Sequence, residues 1–293
     1  MATLRDIQRR IRSVQSTQKI TRAMKLVAAA KLRRAQERAL AARPYASKMA
    51  ELLGGLVGAA GDGGGHPLLQ QREGPRRQIV LVTADRGLAG AFSANVVRRA
   101  QELLRQSTAA DLTLVVVGRK ARDFFRRRSY SIKREMVGFW DRLAYSHAAE
   151  LADFLIAQYV GDEVDTVDLL YNEFRSVAVQ HPVHVQLLPI PRVEAAGGEG
   201  SEQADYIYEP GAAVILGDLL PRNVRMQVYR ALLESLAGEY GARMTAMEAA
   251  TKNASEMISV LTIQYNKARQ EKITKELLDI VGGAEALKQG AEA

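Results

Sequence analysis

Stepping by seven from Met226 gives Leu233, Tyr240, Met247, Ala254 and Leu261. A companion series three residues on runs Tyr229, Leu236, Arg243, Ala250, Met257 and Gln264. Two interleaved series at spacings of 3 and 4 hold one stripe of a helix against a partner helix. The stripe continues less regularly through Ala268, Ile273, Leu277 and Ile280. A helix from about Pro221 to about Ala286 is roughly 100 Å long at 1.5 Å per residue, far beyond the usual globular helix. A rod of that length serves to reach or to transmit and seldom builds an active site.

The first segment reads the same way. Leu4, Ile7, Ile11 and Val14 form a stripe at spacings of 3 and 4, which is expected to shift to Ile20, Met24 and Val27. The tract from Ala28 to Ala46 is rich in alanine and arginine, both strong helix formers. Pro44 should kink this helix or end its regular part, with helical residues resuming through Met49, Leu52, Leu53 and Leu56. The Gly-rich stretch at 58–67, with Gln70 to Pro75, predicts a flexible linker. Two long helices flanking one insert pack most simply as an antiparallel coiled coil.

The insert has another texture. Gln78–Ala84 and Asp111–Val117 are short apolar strands. The turn from Asp85 to Gly90 and a helix from about Ser93 to Gln106 follow the first, and Gly118 and a helix over Lys120–Arg128 follow the second. A helix over Tyr145–Val160 precedes strands at Thr166–Phe174 and Val183–Ile190. Alternating strands and helices predict a mainly parallel sheet covered on both faces. The expected class is therefore mixed, α+β with α/β. A long antiparallel two-helix coiled coil from the N- and C-termini carries an inserted Rossmann-like α/β domain. The expected division is helix 1–58, linker 59–75, α/β domain 76–192, linker with a short strand near Tyr206–Tyr208 at 193–209, and helix 210–288.

Charge is concentrated at one end. The chain has 41 Lys+Arg against 33 Asp+Glu, a net +8. Residues 1–48 hold 13 of those cations and only Asp6 and Glu37 as acids, 13 − 2 = +11. A basic helix calls for an anionic partner: nucleic acid, lipid headgroups or acidic protein loops. Tyr45 is its only aromatic residue, and nothing in it resembles a recognition helix or a stacking platform, so acidic protein loops fit as well as nucleic acid.

Chemistry is sparse. The chain has no cysteine, which excludes a disulfide framework and thiolate chemistry. No apolar run approaches the ~20 residues of a membrane span. The turn after the first strand offers only Gly87 and Gly90, short of a dinucleotide fingerprint, and no P-loop sequence exists. His181 and His184 lie three apart on an expected strand and so point to opposite faces. His66 and His147 have no nucleophile or carboxylate constellation near them. No catalytic, cofactor or metal residues are expected. The Arg126–Arg128 cluster reads as a solvated helix end.

Longer motifs then bear on identity. Ile273-Thr274-Lys275-Glu276-Leu277-Leu278-Asp279, followed by Gly283-Ala284-Glu285-Ala286, resembles the signature of the gamma subunits of F-type ATP synthases. Thr17 to Met24, Val27 to Gln36, Asp85 to Gly90, Tyr208-Glu209-Pro210, Ala242 to Met247 and Tyr265 to Gln270 are similar to the same family and occur in its order. The resemblance implies a central-stalk rotor subunit, itself non-catalytic, that transmits torque between the membrane ion-driven rotor ring of c subunits and a catalytic hexamer of three alpha and three beta subunits. It also implies contact with epsilon, no cofactor, no nucleic acid, no direct membrane insertion and a peripheral place on the cytoplasmic face of a bacterial cell membrane.

Residue by residue, the resemblance implies catch contacts with beta at Arg269 and Gln270. Arg22, Met24 and Lys25 are expected to face the acidic beta loop, Lys25 strengthening that contact. Leu277, Leu278, Ile280 and Val281 would form an upper bearing, and Tyr208 and Glu209 would touch the rotor ring. Ala89 stands where some members have cysteine, and the plant-type insertion with its cysteine pair is absent. The rival of another class is a basic coiled-coil nucleic-acid-binding protein; an enzyme using Gly87 and Gly90 to hold a nucleotide is the other.

Overall fold

A computed structural model of the chain describes residues 3–59, 65–106, 112–128, 130–191 and 211–291. The elements are α1 (Leu4–Ala59), β1 (Arg77–Val82), α2 (Phe92–Gln106), β2 (Leu112–Val117), α3 (Arg119–Arg126), β3 (Ile132–Met136), α4 (Tyr145–Val160), β4 (Thr166–Phe174), β5 (Gln180–Leu188) and α5 (Ala212–Ala291). Five strands form one sheet in the order β3-β2-β1-β4-β5. The first four are parallel, and β5 runs antiparallel to β4. The expected class, two long helices and an inserted Rossmann-like sheet, is what the chain adopts.

Strand alternation distributes the core. Ile79 and Leu81 of β1, Leu114 and Val116 of β2, and Leu170 of β4 pack with Val96, Ala100 and Leu103 of α2 and Phe125 of α3. The intervening residues Val80, Val82, Val115, Val117 and Leu169 belong to a second cluster. It contains α4 through Leu151 and Leu155, α1 through Leu32 and Leu53, and α5 through Leu220, Val228 and Leu232. Period-2 patterning thus buries both faces of a parallel sheet, as short apolar strands require.

The chain divides into two compact units, Ala28–Thr245 and the pair Met1–Val27 with Ala246–Ala293. In the smaller unit α1 and α5 are antiparallel. The Thr21 and Thr251 hydroxyls lie 2.8 Å apart, and Lys25 Nζ meets Glu248 Oε1 at 2.6 Å. Paired numbers sum to 272 or 273 (21 + 251, 25 + 248). In that register Leu4 is level with Ala268. The covered residues are Leu4, Ile7, Ile11, Val14, Gln18, Thr21, Met24 and Lys25 on α1, and Ala246, Met247, Ala250, Thr251, Ala254, Ile258, Leu261, Tyr265 and Ala268 on α5.

This seam differs from the expected one. The +7 series of Met247, Ala254 and Leu261 faces inward, but its companions are Thr251, Ile258 and Tyr265; of the expected companions Ala250 is half-buried, and Met257 and Gln264 are exposed. On α1 the stripe keeps its phase through Gln18 and Thr21; of the expected shifted series Met24 is half-buried, while Ile20 and Val27 are each 57% exposed. A constant 3.5-residue repeat holds the seam in line, and regularity outweighs the apolarity of single residues.

Other expectations are corrected by packing. α1 continues through Pro44, because Met49, Leu53 and Leu56 beyond it are buried. α5 begins at Ala212 and contains Pro221 as its tenth residue, flanked by buried Leu220 and Val224. Tertiary burial offsets the lost hydrogen bond in both. Residues 65–75 are anchored instead of flexible. Pro67–Leu69 form a 3-10 turn with Leu68 and Leu69 buried, and Arg72 donates to the carbonyls of Tyr159 and Val164. β3, unforeseen because Lys133, Arg134 and Glu135 interrupt it, is an edge strand where charge is tolerated. β5 starts earlier than expected and admits Pro182, as an edge strand can. The expected extended piece at Tyr206–Tyr208 lies outside the described residues.

Gly118, between β2 and α3, has φ +93°, and an added Cβ would lie 2.0 Å from the Thr83 carbonyl oxygen. Both strain and overlap act there. Gly118→Ala is expected to cost roughly 3 kcal/mol or more, measured as a lowered midpoint in denaturant unfolding of the chain.

Candidate partner-binding surfaces

The smaller unit carries most of the residues singled out for partner contact. Arg22 is exposed and makes no ion pair among the described residues, while Met24 beside it is half-buried. Lys25 is half-buried, and its ammonium pairs with Glu248 of the same chain at 2.6 Å.

Beyond Ala268 the character of α5 changes. In the register above Leu4 is level with Ala268 and α1 begins at Leu4, so residues further along α5 have no α1 residue opposite them. Every residue from Arg269 to Ala284 is exposed. Arg269 and Gln270 stand at the first step past the seam, without an ion pair among the described residues. Leu277, Leu278, Ile280 and Val281 are 58–68% exposed, apolar side chains uncovered by the chain itself. Clustered exposed aliphatic residues mark a contact surface more often than isolated ones do. Tyr208 and Glu209, expected to touch the rotor ring, lie outside the described residues.

The larger unit holds the only stretch that invited a nucleotide reading, the carboxyl edge of β1, β2 and β3. In open α/β sheets that edge binds ligands, with phosphate at a helix N-terminus. Here the chain fills it. Asp85 accepts from the backbone N–H of Arg119, first residue of α3, at 2.9 Å and from that of Gly138 at 2.6 Å. A side-chain carboxylate thus stands where an anionic ligand would. The turn's glycines serve its geometry: Gly90 has φ +56°.

Around Asp85 lies a cleft of about 140 Å³, lined by Lys31, Arg86, Arg119, Trp140, Asp141, Glu239, Tyr240 and Arg243. Lys31 donates to Asp141 Oδ1 at 2.6 Å, and Arg86 to Asp141 Oδ2 at 3.0 Å. Lys31 also sits 5.5 Å from the Tyr240 ring centroid. Glu239 and Arg243 form a buried pair at 2.5 Å, and Arg243 reaches the Gly87 carbonyl at 3.3 Å. The Lys31 hydrogen bond holds the Asp141 carboxyl below the usual carboxylate range, and burial pushes the Glu239 carboxyl up. None of these groups is a nucleophile with a base beside it. Sequence reasoning missed this network because, apart from Glu239 and Arg243 on one helix, its bonded members are 34 to 156 residues apart.

The histidines have structural settings. His66 Nδ1 accepts from Leu68 N–H, His147 stacks on Phe139 at 4.9 Å, and His184 lies 3.4 Å from buried Asp168, which Arg77 also pairs. His181 is exposed on β5. Arg128, from the arginine cluster, stacks over Phe124 at 3.7 Å. Among the described residues no group of His, Asp and Glu could hold a metal ion, and no helix is long and apolar enough to cross a membrane.

Two long helices flanking an inserted Rossmann-like domain, its ligand edge filled by the chain's own Asp85 carboxylate, define the class as a coiled-coil protein with an α/β body. The sequence model of the family described as ATP synthase matches residues 3–287, and the chain belongs to this family. A Pelotomaculum thermopropionicum protein named ATP synthase gamma chain is 50% identical over 288 residues, covering 98% of this chain and all of that one. A Moorella thermoacetica protein of the same name is 51% identical over 288 residues with the same coverage. Among solved structures, a chain from the central stalk and c-ring of Tetrahymena thermophila mitochondrial ATP synthase matches with TM-score 0.61 at 25% identity, covering 79% of this chain and 99% of that one. A chain of the Euglena gracilis mitochondrial ATP synthase has the same fold, with TM-score 0.71 at 20% identity and coverage of 99% and 96%.

The Asp141 pair gives a pH signature. A carboxyl with a lowered folded-state pKa contributes stability above its ordinary value near 4 and loses it as pH falls through the folded value. Asp141→Asn should therefore destabilise the chain at neutral pH by about 0.5–1 kcal/mol, a modest figure because both partners are half-exposed. The difference from wild type should close in strong acid, as read by urea unfolding at several pH values.

Proposed function

We propose that this chain is the central-stalk rotor subunit of an ATP synthase. It transmits torque between the ion-driven membrane ring and the catalytic alpha/beta hexamer. It is a non-catalytic member of that complex: the groups at its one ligand-type edge are spent on each other. Its place is peripheral, on the cytoplasmic face of a bacterial cell membrane. Its partners are alpha, beta, epsilon and the ring of c subunits. The observation that carries the reading is half-identity to gamma chains over nearly the whole length, joined to an α5 end left uncovered by the chain itself.

A rotor has to contact three near-identical subunits unequally, so sparse charges at chosen levels suit it better than a continuous adhesive face. Arg269 and Gln270, the first residues past the seam, act as the catch toward beta. Arg22 and Met24 face the acidic beta loop, with Lys25 contributing less than its charge suggests because Glu248 answers it. Leu277, Leu278, Ile280 and Val281 form a bearing: aliphatic side chains attract without direction and slide easily. Tyr208 and Glu209 belong to the ring contact. A nucleic-acid role rests on the basic segment 1–48 alone, and none of these relatives supports it.

Co-expression with the alpha and beta subunits of the same organism tests the assignment. A particle of three alpha, three beta and one copy of this chain, with sustained ATPase dependent on it, is expected in native mass spectrometry. Exclusion from a well-folded alpha/beta assembly refutes it. For the catch, Arg269→Ala with Gln270→Ala should leave assembly intact while lowering stall torque and ATP synthesis. Unaltered torque and synthesis would remove those two residues from the mechanism.

A further inference from the structure

Only two segments join the unit of residues 28–245 to the unit of residues 1–27 and 246–293: α1 at Val27–Ala28 and α5 at Thr245–Ala246. A twist carried along the covalent chain from one unit to the other runs through those two helices. Within the larger unit α1 and α5 lie against the sheet and α4 largely through aliphatic side chains such as Leu32, Leu53, Leu220 and Leu232. Dispersion and apolar burial have little directional preference, so such a bed resists separation well and rolling poorly.

Directional contacts include Arg225 of α5 with Asp153 of α4 at 2.6 Å, but a connected set that reaches both helices lies near residues 28 and 245. Lys31, four residues past Val27, is bound to Asp141 in the 3-10 turn after β3, and buried Trp140 seats that turn. Arg243, two residues before Thr245, is bound to the Gly87 carbonyl in the turn after β1 and to Glu239 on its own helix. Arg86, next to Gly87, donates to Asp141 and so ties the two turns together. The Asp85 carboxylate fastens the same turn to the start of α3 and to Gly138. The contacts form one chain: α1, Lys31, Asp141, Arg86, Gly87, Arg243, α5.

We propose that this chain of contacts is a torsional clamp, in which Asp141 and Arg243 are positioning residues that keep α1 and α5 from rolling on the α/β domain under load. The inference rests on the rotor reading and adds the place where body and helices are locked. It concerns stiffness more than stability. The Lys31–Asp141 and Arg86–Asp141 pairs are half-exposed, so each stabilises the fold little while still fixing an angle.

The test is single-molecule recording on the assembled complex, with the catalytic hexamer immobilised and a bead on the α/β domain. Asp141→Ala is expected to broaden the angular distribution within a catalytic dwell and to lower stall torque. Lys31→Cys with Asp141→Cys should broaden it equally, and a short bismaleimide bridge made on the isolated chain before assembly should narrow it again. The natural chain has no cysteine, so the bridge has one place to form. Restored stiffness on bridging, with Asp141→Ala melting within a few degrees of wild type, supports a clamp. Identical widths in wild type, Asp141→Ala and bridged protein overturn it. A wild-type complex whose bead never turns overturns the rotor reading instead.

Discussion

The register between α1 and α5 is the constraint on which the rest depends, and in the smaller unit it is held by little material. The seam is narrow: Met247 and Ala254 are its only buried apolar residues there, and Thr21 is buried among them. Alanine and threonine let backbones approach but bury little area, so apolar gain alone would tolerate a slip. The paired hydroxyls of Thr21 and Thr251 would not. A slip of one heptad sets Thr21 level with Met244 or Ile258, neither of which offers a hydroxyl. The slipped chain keeps the bonds of Thr21 and Thr251 to the Gln18 and Met247 carbonyls of their own helices but loses the one between the helices, worth about 0.5–1.5 kcal/mol. Polar residues in a coiled-coil seam fix alignment at some cost in stability, and this pair fits that role.

Much of the architecture was legible from residue patterns, and where the reading failed the reasons are local. The long helices showed in their repeats, and the parallel strands showed as short apolar runs such as Ile79–Val82. The phase of the seam did not, because at each level two neighbours compete: Ala250 with Thr251, Met257 with Ile258, Gln264 with Tyr265. Hydrophobicity separates these pairs weakly, and the partner helix decides. Pro44 and Pro221 misled because burial on either side offsets a missing hydrogen bond. The Gly-rich stretch concealed Leu68 and Leu69, which are buried and carry the segment with them.

For the contact surfaces, the balance differs. The resemblance to a known family supplied Arg269, Gln270 and the aliphatic cluster after them, and their exposure past the end of the seam accords with contact. The Lys25 pair with Glu248 joins residues 223 apart, and no local pattern announces it. The carboxyl edge of the sheet shows the same limit. Gly87 and Gly90 suggested a weak phosphate loop, but the group that closes the niche, Asp85, finds its donors 34 and 53 residues later. The edge where such sheets bind ligands serves here as a fastening within the chain.

The uncovered end of α5 bears on the life of the chain before assembly. From Ile273 to Val281 the helix shows five aliphatic side chains to water, each at least 48% exposed, with nothing among the described residues to shield them. In a free subunit such a surface favours self-association and capture by chaperones or proteases, which act on exposed apolar segments. Copies made in excess of their partners are then short-lived or aggregated. The stretch that would turn most freely inside a finished complex is therefore also the one that penalises production out of proportion, and it ties supply of this chain to supply of whatever encloses it.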